Sequence, residues 1–335
     1  MVLIKKKNIK IATILPYKEN YTYTKASAAS LWVSEFYKNS KFRTSNYIYG
    51  HTMYNDFLSK NYININLKNI KSKLKSATKE YSNKLIKKFK DQRYDLIEIH
   101  NRPLILKEIT KEINSRYIIY FHNDPLSMKG SKTIKERLDI ISSVEKIIFV
   151  SEWTQKRFFI DLDNKLKAKT EIVYPSIDPK KKMSKKKKYI TFVGKLNESK
   201  GYDIFSKSII KILNEFPEWK AFSMGDEDRR KIFINHPNHF ELGFIKHTKV
   251  LSLLDKTSIS VVPSKWDEPF GRTALEATSR GCATIISNKG GLPETTKQAI
   301  ILKNLDENNL YKQIKFLIKN KKKRKVIQRN SFSNI

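Results

Sequence analysis

The sequence predicts an α/β protein made of two successive domains, each with a parallel sheet. Three observations carry this prediction: apolar runs of strand length recur along the chain, a plausible helix follows each run, and a block of lysines interrupts the alternation. Buried parallel strands read as continuous apolar runs of this kind. At 335 residues the chain is long enough for two domains that each bury a core.

The amino-terminal half begins with an apolar run, IKIATILP (9–16), followed by a polar stretch and a segment with helical spacing, KASAASLWVSEFYK (25–38). Three later runs have the same character: YDLIEIHNRP (94–103), RYIIYFHNDP (116–125) and VEKIIFVSEW (144–153). In open α/β sheets, ligands bind at the carboxyl ends of the strands. The polar residues that end these runs are therefore candidate site residues.

The block PKKKMSKKKK (179–188) has no periodicity and is predicted to be a linker between domains at 1–178 and 189–335. After it the alternation resumes, with helices predicted at 202–214 and 247–256. The predicted strands are YITFVGKL (189–196), WKAFSMGD (219–226), HFELGF (239–244), SISVVPSKW (258–266) and CATIISN (282–288).

The composition is strongly basic, with 67 basic and 33 acidic residues and a net charge of +34. Of the basic residues 55 are lysine and only 12 are arginine, the residue preferred for bidentate phosphate contacts. We interpret the charge mainly as compositional background, with an anion-binding surface as the alternative.

The sequence also bears on location. It has no apolar window of membrane-spanning length, no export signal in MVLIKKKNIKIATILP (1–16), and a single cysteine, Cys282, which we expect in the core. These features predict a cytoplasmic protein.

Two stretches of the second half combine features that suit an anionic ligand. In FVGKLNESKG (192–201) a strand leads into a turn with Gly194, Lys195 and Lys200, which either clamps a diphosphate or is a solvated lysine-rich turn. The glycine spacing differs from that of a P-loop. In WDEPFGRTALEATSRG (266–281), Glu268 precedes a predicted helix start and Glu276 lies on its second turn.

Backbone N–H groups should cluster at that helix start, around Phe270, Gly271 and Arg272, where an anion would bind. The two glutamates either stabilise the helix dipole or accept hydrogen bonds from sugar hydroxyls. Their spacing alone leaves both interpretations open.

Together, FVGKLNESKGYD (192–203) and SVVPSKWDEPFGRTALEATSRGCATIISNKGGLPE (260–294) closely resemble the carboxyl-terminal domain of family 4 glycosyltransferases. The E-x7-E motif with Pro-Phe-Gly inside it is highly specific in that context. The resemblance covers roughly residues 189–294 and implies the GT-B fold, in which two Rossmann-like domains with parallel sheets face each other.

The resemblance also implies roles for individual residues. Glu276 is expected to accept from the ribose hydroxyls and Glu268 to contact the donor sugar. The amides near Phe270 and Gly271 should face sugar and phosphate, with Arg272 beside them. Lys200 matches the phosphate-binding lysine of the family.

Three further positions follow from the same comparison. Lys195, next to Gly194, lies where the family usually has arginine. Lysine keeps the positive charge but lacks the planar guanidinium group that binds a phosphate through two hydrogen bonds. Phe244 and Ile245, in ELGFI (241–245), match the loop that meets the nucleotide base.

In the first half, FHNDP (121–125) resembles the strand end that carries the active-site histidine of the family, which makes His122 the candidate. His100, Asn101 and Arg102 lie at a neighbouring strand end. The chain departs from the family pattern in the loop after its first strand, PYKENYTYTKASAAS (16–30), which has no glycine. It also stops at RNSFSNI, so we expect the closing helix of the family to be shortened or missing.

The resemblance implies a retaining transfer of a hexosyl unit from a UDP- or GDP-sugar to a hydroxyl of a saccharide or glycolipid, in surface polysaccharide or lipopolysaccharide synthesis. His122, Glu268 and Lys200 would be catalytic, with no cofactor and no metal. An anionic membrane surface is a further candidate partner, and the protein would then be peripheral on the inner face of the cytoplasmic membrane. No nucleic acid is expected to bind.

The helix segment LWVSEFY (31–37) either packs in the core or lies at that membrane interface. Two other functions stay open, a GT-B nucleotide-sugar epimerase and a basic nucleic-acid-binding protein. The epimerase would place its carboxylates differently, and the nucleic-acid-binding protein would leave residues 268–294 unexplained.

Overall fold

A computed structural model of the chain describes residues 9–67, 76–227 and 232–334. The chain divides into two compact units, Met1–Pro175 and Ser176–Ile335. Residues 1–8, half of the segment in which no export signal is predicted, lie outside the described residues.

The first unit is built on a seven-stranded sheet in the order β3-β2-β1-β4-β5-β6-β7, and every pair of neighbouring strands is parallel. The strands are β1 Ile11–Ile14, β2 Asn46–Gly50, β3 Tyr62–Asn64, β4 Leu96–His100, β5 Arg116–Phe121, β6 Lys146–Phe149 and β7 Thr170–Ile172. The helices are α1 Ala28–Asn39, α2 Ala77–Lys90, α3 Pro103–Ile109, α4 Ile134–Ser143 and α5 Glu152–Phe158.

Local sequence fixes several of these helix starts. Ser27 caps α1 by accepting from the Ser30 N–H, and Thr133 and Glu136 form a reciprocal capping box on α4. Pro103 opens α3, where its missing N–H costs nothing. The strand and helix predicted at the start of the chain are confirmed, since Ile11–Ile14 is a strand and Ala28–Asn39 a helix.

The second unit has a six-stranded sheet in the order β10-β9-β8-β11-β12-β13, again with parallel neighbours. Its strands are β8 Tyr189–Val193, β9 Lys220–Met224, β10 His239–Glu241, β11 Ile259–Val262, β12 Ala283–Ile286 and β13 Ile300–Ile301. Its helices are α6 Tyr202–Glu215, α7 His247–Lys256, α8 Arg272–Ser279, α9 Glu307–Lys319 and α10 Lys321–Ser333. Helix α10 packs against α8, α9 and β12 of the same unit.

Central strands of both sheets are largely buried, which explains why they read as continuous apolar runs. In β11 all four residues are buried, and in β12 the same holds. Helix α6 contributes Ile209, Ile212 and Leu213 to the core of the second unit. Each fully buried side chain of this size stabilises the fold by about 1.5–3 kcal/mol.

The lysine-rich block 179–188 makes specific contacts with the second unit. Lys180 forms an ion pair with Asp255 at 2.6 Å. The ammonium group of Lys186 donates to the carbonyl oxygens of Leu254 and Arg280 at 3.1 and 2.5 Å, close to the ends of α7 and α8. Burial lowers the pKa of Lys186, because the charged form loses water.

One glycine allows two loops of the second unit to meet. Gly201, which precedes α6, has φ of 72° in the left-handed region. A Cβ atom at this position would lie 1.9 Å from the carbonyl oxygen of Pro263, at the end of β11. Only glycine therefore permits the loop after β8 to lie against the loop after β11.

We predict that Gly201→Ala destabilises the second unit far more than Gly243→Ala. Gly243 has φ of 61°, but a Cβ there would meet nothing within 4 Å among the described residues. Gly243→Ala should therefore cost about 1 kcal/mol of left-handed strain, and Gly201→Ala, which adds the clash, at least about 3 kcal/mol.

Urea-induced unfolding of both variants, followed by tryptophan fluorescence, would measure the difference in the free energy of unfolding. Equal losses in the two variants would show that the approach of the two loops is not sterically constrained.

Candidate active site

The second sheet reverses its strand order between β8 and β11, and this is where an open α/β sheet forms a ligand crevice. The loops that leave the carboxyl ends of these two strands are joined by backbone hydrogen bonds. The Ser199 carbonyl oxygen accepts from the N–H groups of Lys265 and Trp266 at 3.0 and 2.9 Å. The two loops therefore form a single edge above the sheet.

An ion pair spans this reversal of strand order. The ammonium nitrogen of Lys200, from the loop after β8, lies 2.6 Å from the Oε1 atom of Glu268, from the loop after β11. Their side chains are 30% and 13% exposed. Asn197 fixes the backbone at Lys200, since its side-chain oxygen accepts from the Lys200 N–H at 3.2 Å. Two residues that lie 68 positions apart in sequence thus meet at the same edge.

A third loop holds Glu268 from the other side. The Gly291 N–H donates to the Glu268 carbonyl oxygen at 2.6 Å. A Cβ atom at Gly290, where φ is 60°, would lie 2.2 Å from that same oxygen. The Lys-Gly-Gly sequence at 289–291 therefore lets the loop after β12 lie directly against Glu268.

Helix α8 starts beside this ion pair. Its N-cap is Gly271, which brings no side chain to the N–H groups of the first turn. Phe270, the residue that precedes this N-cap, is buried. The Gly271 carbonyl oxygen accepts from the backbone N–H groups of Ala274 and Leu275. The first-turn amides and the positive end of the helix dipole thus lie next to Glu268, where they suit a negatively charged group.

Glu276, on the second turn of α8, is only 5% exposed and forms two hydrogen bonds through Oε1. Arg272 donates from Nε and His247 lies at hydrogen-bond distance through Nε2, both at 2.8 Å. Burial raises the pKa of Glu276, but the His247 hydrogen bond and the Arg272 charge outweigh it and keep that pKa below its usual value. Glu276 is therefore held as a carboxylate.

The sequence analysis did not identify His247. This residue opens α7, two positions after Ile245, and thereby ties Glu276 to the loop that follows β10. The available signal was a histidine at the predicted start of a helix directly after the ELGFI segment.

A cavity of about 250 Å³ opens at the carboxyl ends of β8 and β9. Four residues predicted to bind a nucleotide line it together, namely Gly194, Lys195, Phe244 and Ile245. The rest of its wall is mainly apolar, from Val193, Met224 and Val250, with Gly225 and Asp226 at its edge. The Phe244 side chain is 48% exposed. An apolar wall with a few polar groups suits a flat heterocycle with a charged tail.

Asp226 also begins an Asp-Glu-Asp triplet at 226–228, and its third residue lies outside the described residues. Within the described residues no group of three or more His, Cys, Asp or Glu side chains is placed to hold a metal ion.

In the first unit, His122 and His100 lie together at the ends of β5 and β4. The Nδ1 atom of His100 is 2.7 Å from the Nε2 atom of His122. Asn101, with φ of 55°, accepts through its side-chain oxygen from the backbone N–H groups of His122 and Asn123. Burial lowers the pKa of His122 to about 3, so its ring is neutral at pH 7.

The structure thus places the predicted residues in three groups. The first group follows β8 and β11 of the second unit and comprises Lys200, Glu268, the helix start at 270–272 and Glu276. The second group is the four cavity residues, which lie beside β8, β9 and α7. The third is His122, which belongs to the first unit. Cys282 is fully buried, and so is Trp32 of α1, whereas Phe36 is 38% exposed. Over the ranges described, none of the helices combines the length and apolar character that crossing a bilayer requires.

Residues 174–333 match the protein family described as glycosyl transferases group 1. In sequence the chain is similar to YtcC of Bacillus subtilis (strain 168), a protein named as a glycosyltransferase by inference. The two are 26% identical over 218 residues, which is 56% of this chain and 53% of YtcC. The chain therefore spans about half the length of the curated relatives it matches.

Solved structures resemble nearly the whole chain. The HepE protein of Anabaena, crystallised with UDP-glucose, has a TM-score of 0.73 at 15% identity, covering 97% of this chain and 94% of that one. WaaG, a glycosyltransferase involved in lipopolysaccharide biosynthesis, has a TM-score of 0.71 at 13% identity, covering 96% and 94%. At such identities the likeness shows the fold, which confirms the predicted α/β architecture with two parallel sheets. Residues 174–333 thus form a glycosyl transferases group 1 domain, and the fold of the described residues is of the GT-B type.

Proposed function

We propose that the protein is a retaining glycosyltransferase that moves a hexosyl unit from a nucleotide diphosphate sugar to a hydroxyl acceptor. The observation that carries the proposal is the arrangement around the strand reversal of the second sheet. There the Lys200–Glu268 pair, the start of α8 and the carboxylate of Glu276 surround one edge, next to the cavity beside Lys195. Cations and amides suit a diphosphate, and carboxylates suit hydroxyls.

Each part of the donor has a proposed partner. The base would occupy the cavity lined by Phe244 and Ile245, and the diphosphate would lie between Lys195, Lys200 and the start of α8. Glu276 uses only Oε1 for Arg272 and His247, so its Oε2 atom, to which no described residue donates, is proposed to accept from the ribose. The UDP and UDP-glucose complexes of HepE favour a donor of this class.

In the proposed reaction, the bond between the sugar C1 and the diphosphate oxygen breaks, and a bond from C1 to the acceptor oxygen forms on the same face. The acceptor proton leaves with the diphosphate, so no carboxylate nucleophile is required. The leaving group gains negative charge, and preorganised cations and amides stabilise it most in the transition state. Glu268 would contact the donor sugar, and His122 is proposed as a further catalytic residue.

We also propose a saccharide or glycolipid acceptor in the synthesis of lipopolysaccharide or another surface polysaccharide. The role given for WaaG, which has a similar fold, supports this assignment. The exposed ring of Phe36 on α1, together with the excess of lysine, is consistent with a cytoplasmic protein bound to an anionic membrane surface.

Calorimetric titration with UDP, GDP and ADP tests the nucleotide site. At least one nucleotide should bind, and Glu276→Gln should weaken it about 10-fold or more, since a hydrogen bond to a charged group contributes roughly 1.5–3 kcal/mol. Glu215→Gln is the matched control, because Glu215 also forms an ion pair in this unit, with Lys315 at 2.7 Å. If no nucleotide binds, or if both variants bind as the unsubstituted protein does, the site is misassigned.

Substitution of Lys200 tests its part in the reaction. Lys200→Met should lower the turnover number about 100-fold, because the ammonium group faces the charge that develops on the diphosphate. Lys211→Met serves as its control, as Lys211 also pairs with a carboxylate, that of Glu307, at 2.9 Å. Comparable rates in the two variants would argue that Lys200 has a structural role only.

Slow hydrolysis of nucleotide sugars without an acceptor would identify the donor and the stereochemistry. Proton NMR, recorded before the product mutarotates, should show the anomeric configuration of the donor, and the rate should be unchanged in EDTA. An inverted product would exclude the retaining reaction. Loss of activity in EDTA, restored by Mg²⁺, would exclude metal independence and direct attention to Asp226. An epimerised sugar would favour an epimerase instead.

A further inference from the structure

His100 and His122 of the first unit form a closely packed pair of imidazole rings. The two rings lie nearly parallel, with centroids 5.0 Å apart and an interplanar angle of 15°. His100 also stacks on Tyr120, with centroids 4.4 Å apart and an angle of 4°. The edge of Trp32 contacts both histidines. This packing fixes the orientation of both imidazole rings.

Both rings are neutral in this environment. His100 is only 1% exposed, and burial followed by the nearby His122 lowers its pKa well below its usual value. The titratable groups that face the pair are Tyr120 of β5 and Glu98 of β4, which accepts hydrogen bonds from Thr13 and Tyr120. Burial raises the pKa of Glu98. No described lysine or arginine forms an ion pair with this glutamate.

Two neutral imidazoles that share one hydrogen bond have two possible arrangements. In the first, His100 carries its proton on Nδ1 and donates to Nε2 of His122. In the second, His122 donates from Nε2, and the proton of His100 must then lie on its own Nε2. The arrangements also differ at the two nitrogens outside the shared hydrogen bond. In the first, Nε2 of His100 has a lone pair and Nδ1 of His122 an N–H group, and in the second these are exchanged.

The surroundings of His100 distinguish these arrangements. Its Nε2 atom is buried and has no hydrogen-bond partner among the described residues. The first arrangement leaves a lone pair there, and the second leaves an N–H group. Buried N–H groups without an acceptor are rare in proteins because they lose the full free energy of hydration. Trp32, whose ring packs against His100, carries an N–H donor and no acceptor, so it cannot accept from an N–H group at this nitrogen.

We propose that His100 is a positioning residue, which donates from Nδ1 to Nε2 of His122 and thereby holds His122 as the Nδ1–H tautomer. The proton of His122 must then lie on Nδ1, because Nε2 accepts. His122 consequently offers a hydrogen-bond donor, not a base, to a substrate oxygen. This inference rests on the proposed function only in its last step, since the tautomer is a property of the free protein.

Nitrogen-15 NMR of the full chain labelled at histidine tests the tautomer directly. Nδ1 and Nε2 of a neutral ring differ strongly in chemical shift, depending on which nitrogen carries the proton. His51 is an internal reference, because its Nδ1 lies 3.0 Å from the carbonyl oxygen of Ile65 and must therefore be protonated. Between pH 6 and 8 we expect His100 and His122 to show the Nδ1–H pattern that His51 shows at alkaline pH. An Nε2–H pattern at His122 would overturn the proposal.

Two substitutions then separate the hydrogen bond from the packing. His100→Phe keeps an aromatic ring on Tyr120 but removes the donor, whereas His100→Asn keeps an amide N–H near the position of Nδ1. Without the donor of His100, His122 is no longer restricted to one tautomer, so we expect His100→Phe to replace the pure Nδ1–H pattern of His122 by a mixture of both patterns. The turnover number should fall about 10-fold, with little change in the Michaelis constant for the donor sugar. His100→Asn should retain the Nδ1–H pattern and most of the activity.

The outcomes separate this inference from the proposed function. If His122 shows the expected tautomer but the protein transfers no sugar, the proposed function fails and the tautomer assignment stands. If the protein is active and both variants lose equal activity with unchanged nitrogen shifts, His100 acts through packing alone and the assignment is wrong.

Discussion

The reversal of strand order at the centre of each sheet is the constraint on which the rest of the structure depends. Parallel strands need crossover helices, and where the winding direction changes, the helices that follow two neighbouring strands diverge to opposite faces. The carboxyl ends of those strands are then left uncovered. In the second unit this happens between β8 and β11, and in the first between β1 and β4. Loops at such an edge can be polar while the strands beneath them are largely apolar.

Glycine determines how closely those loops approach one another. At Gly201 and Gly290 a side chain would strike a carbonyl oxygen of a neighbouring loop, so three loops of the second unit can share one edge only because these positions lack a Cβ. The ion pair between Lys200 and Glu268 forms within that edge. Its low exposure strengthens the electrostatic interaction relative to that of the many lysine pairs on the open surface.

Much of the fold could be predicted because buried parallel strands leave a strong signal. The missed strands lacked it: β3 and β7 have three residues each, β13 has two, and β2 contains Asn46 and Gly50. For the site, the sequence indicated which loops matter because Lys200 and Glu268 lie in loops that follow strands, and Glu276 lies on the helix that follows the second loop. It could not predict contacts between distant loops, such as that of His247 with Glu276 or that of Lys200 with Glu268, since tertiary packing alone sets these distances.

The surroundings of the two glutamates bear on the kind of chemistry the second unit can support. A glycosidase needs one carboxyl group whose pKa is raised, so that it can donate a proton near neutral pH. Glu276 has the opposite environment, since His247 and Arg272 lower its pKa despite its burial. Glu268 accepts a hydrogen bond from the Lys200 ammonium group at 2.6 Å. With both carboxylates serving as acceptors, the proposed transfer relies on the cations and amides around the leaving group to assist its departure from the sugar.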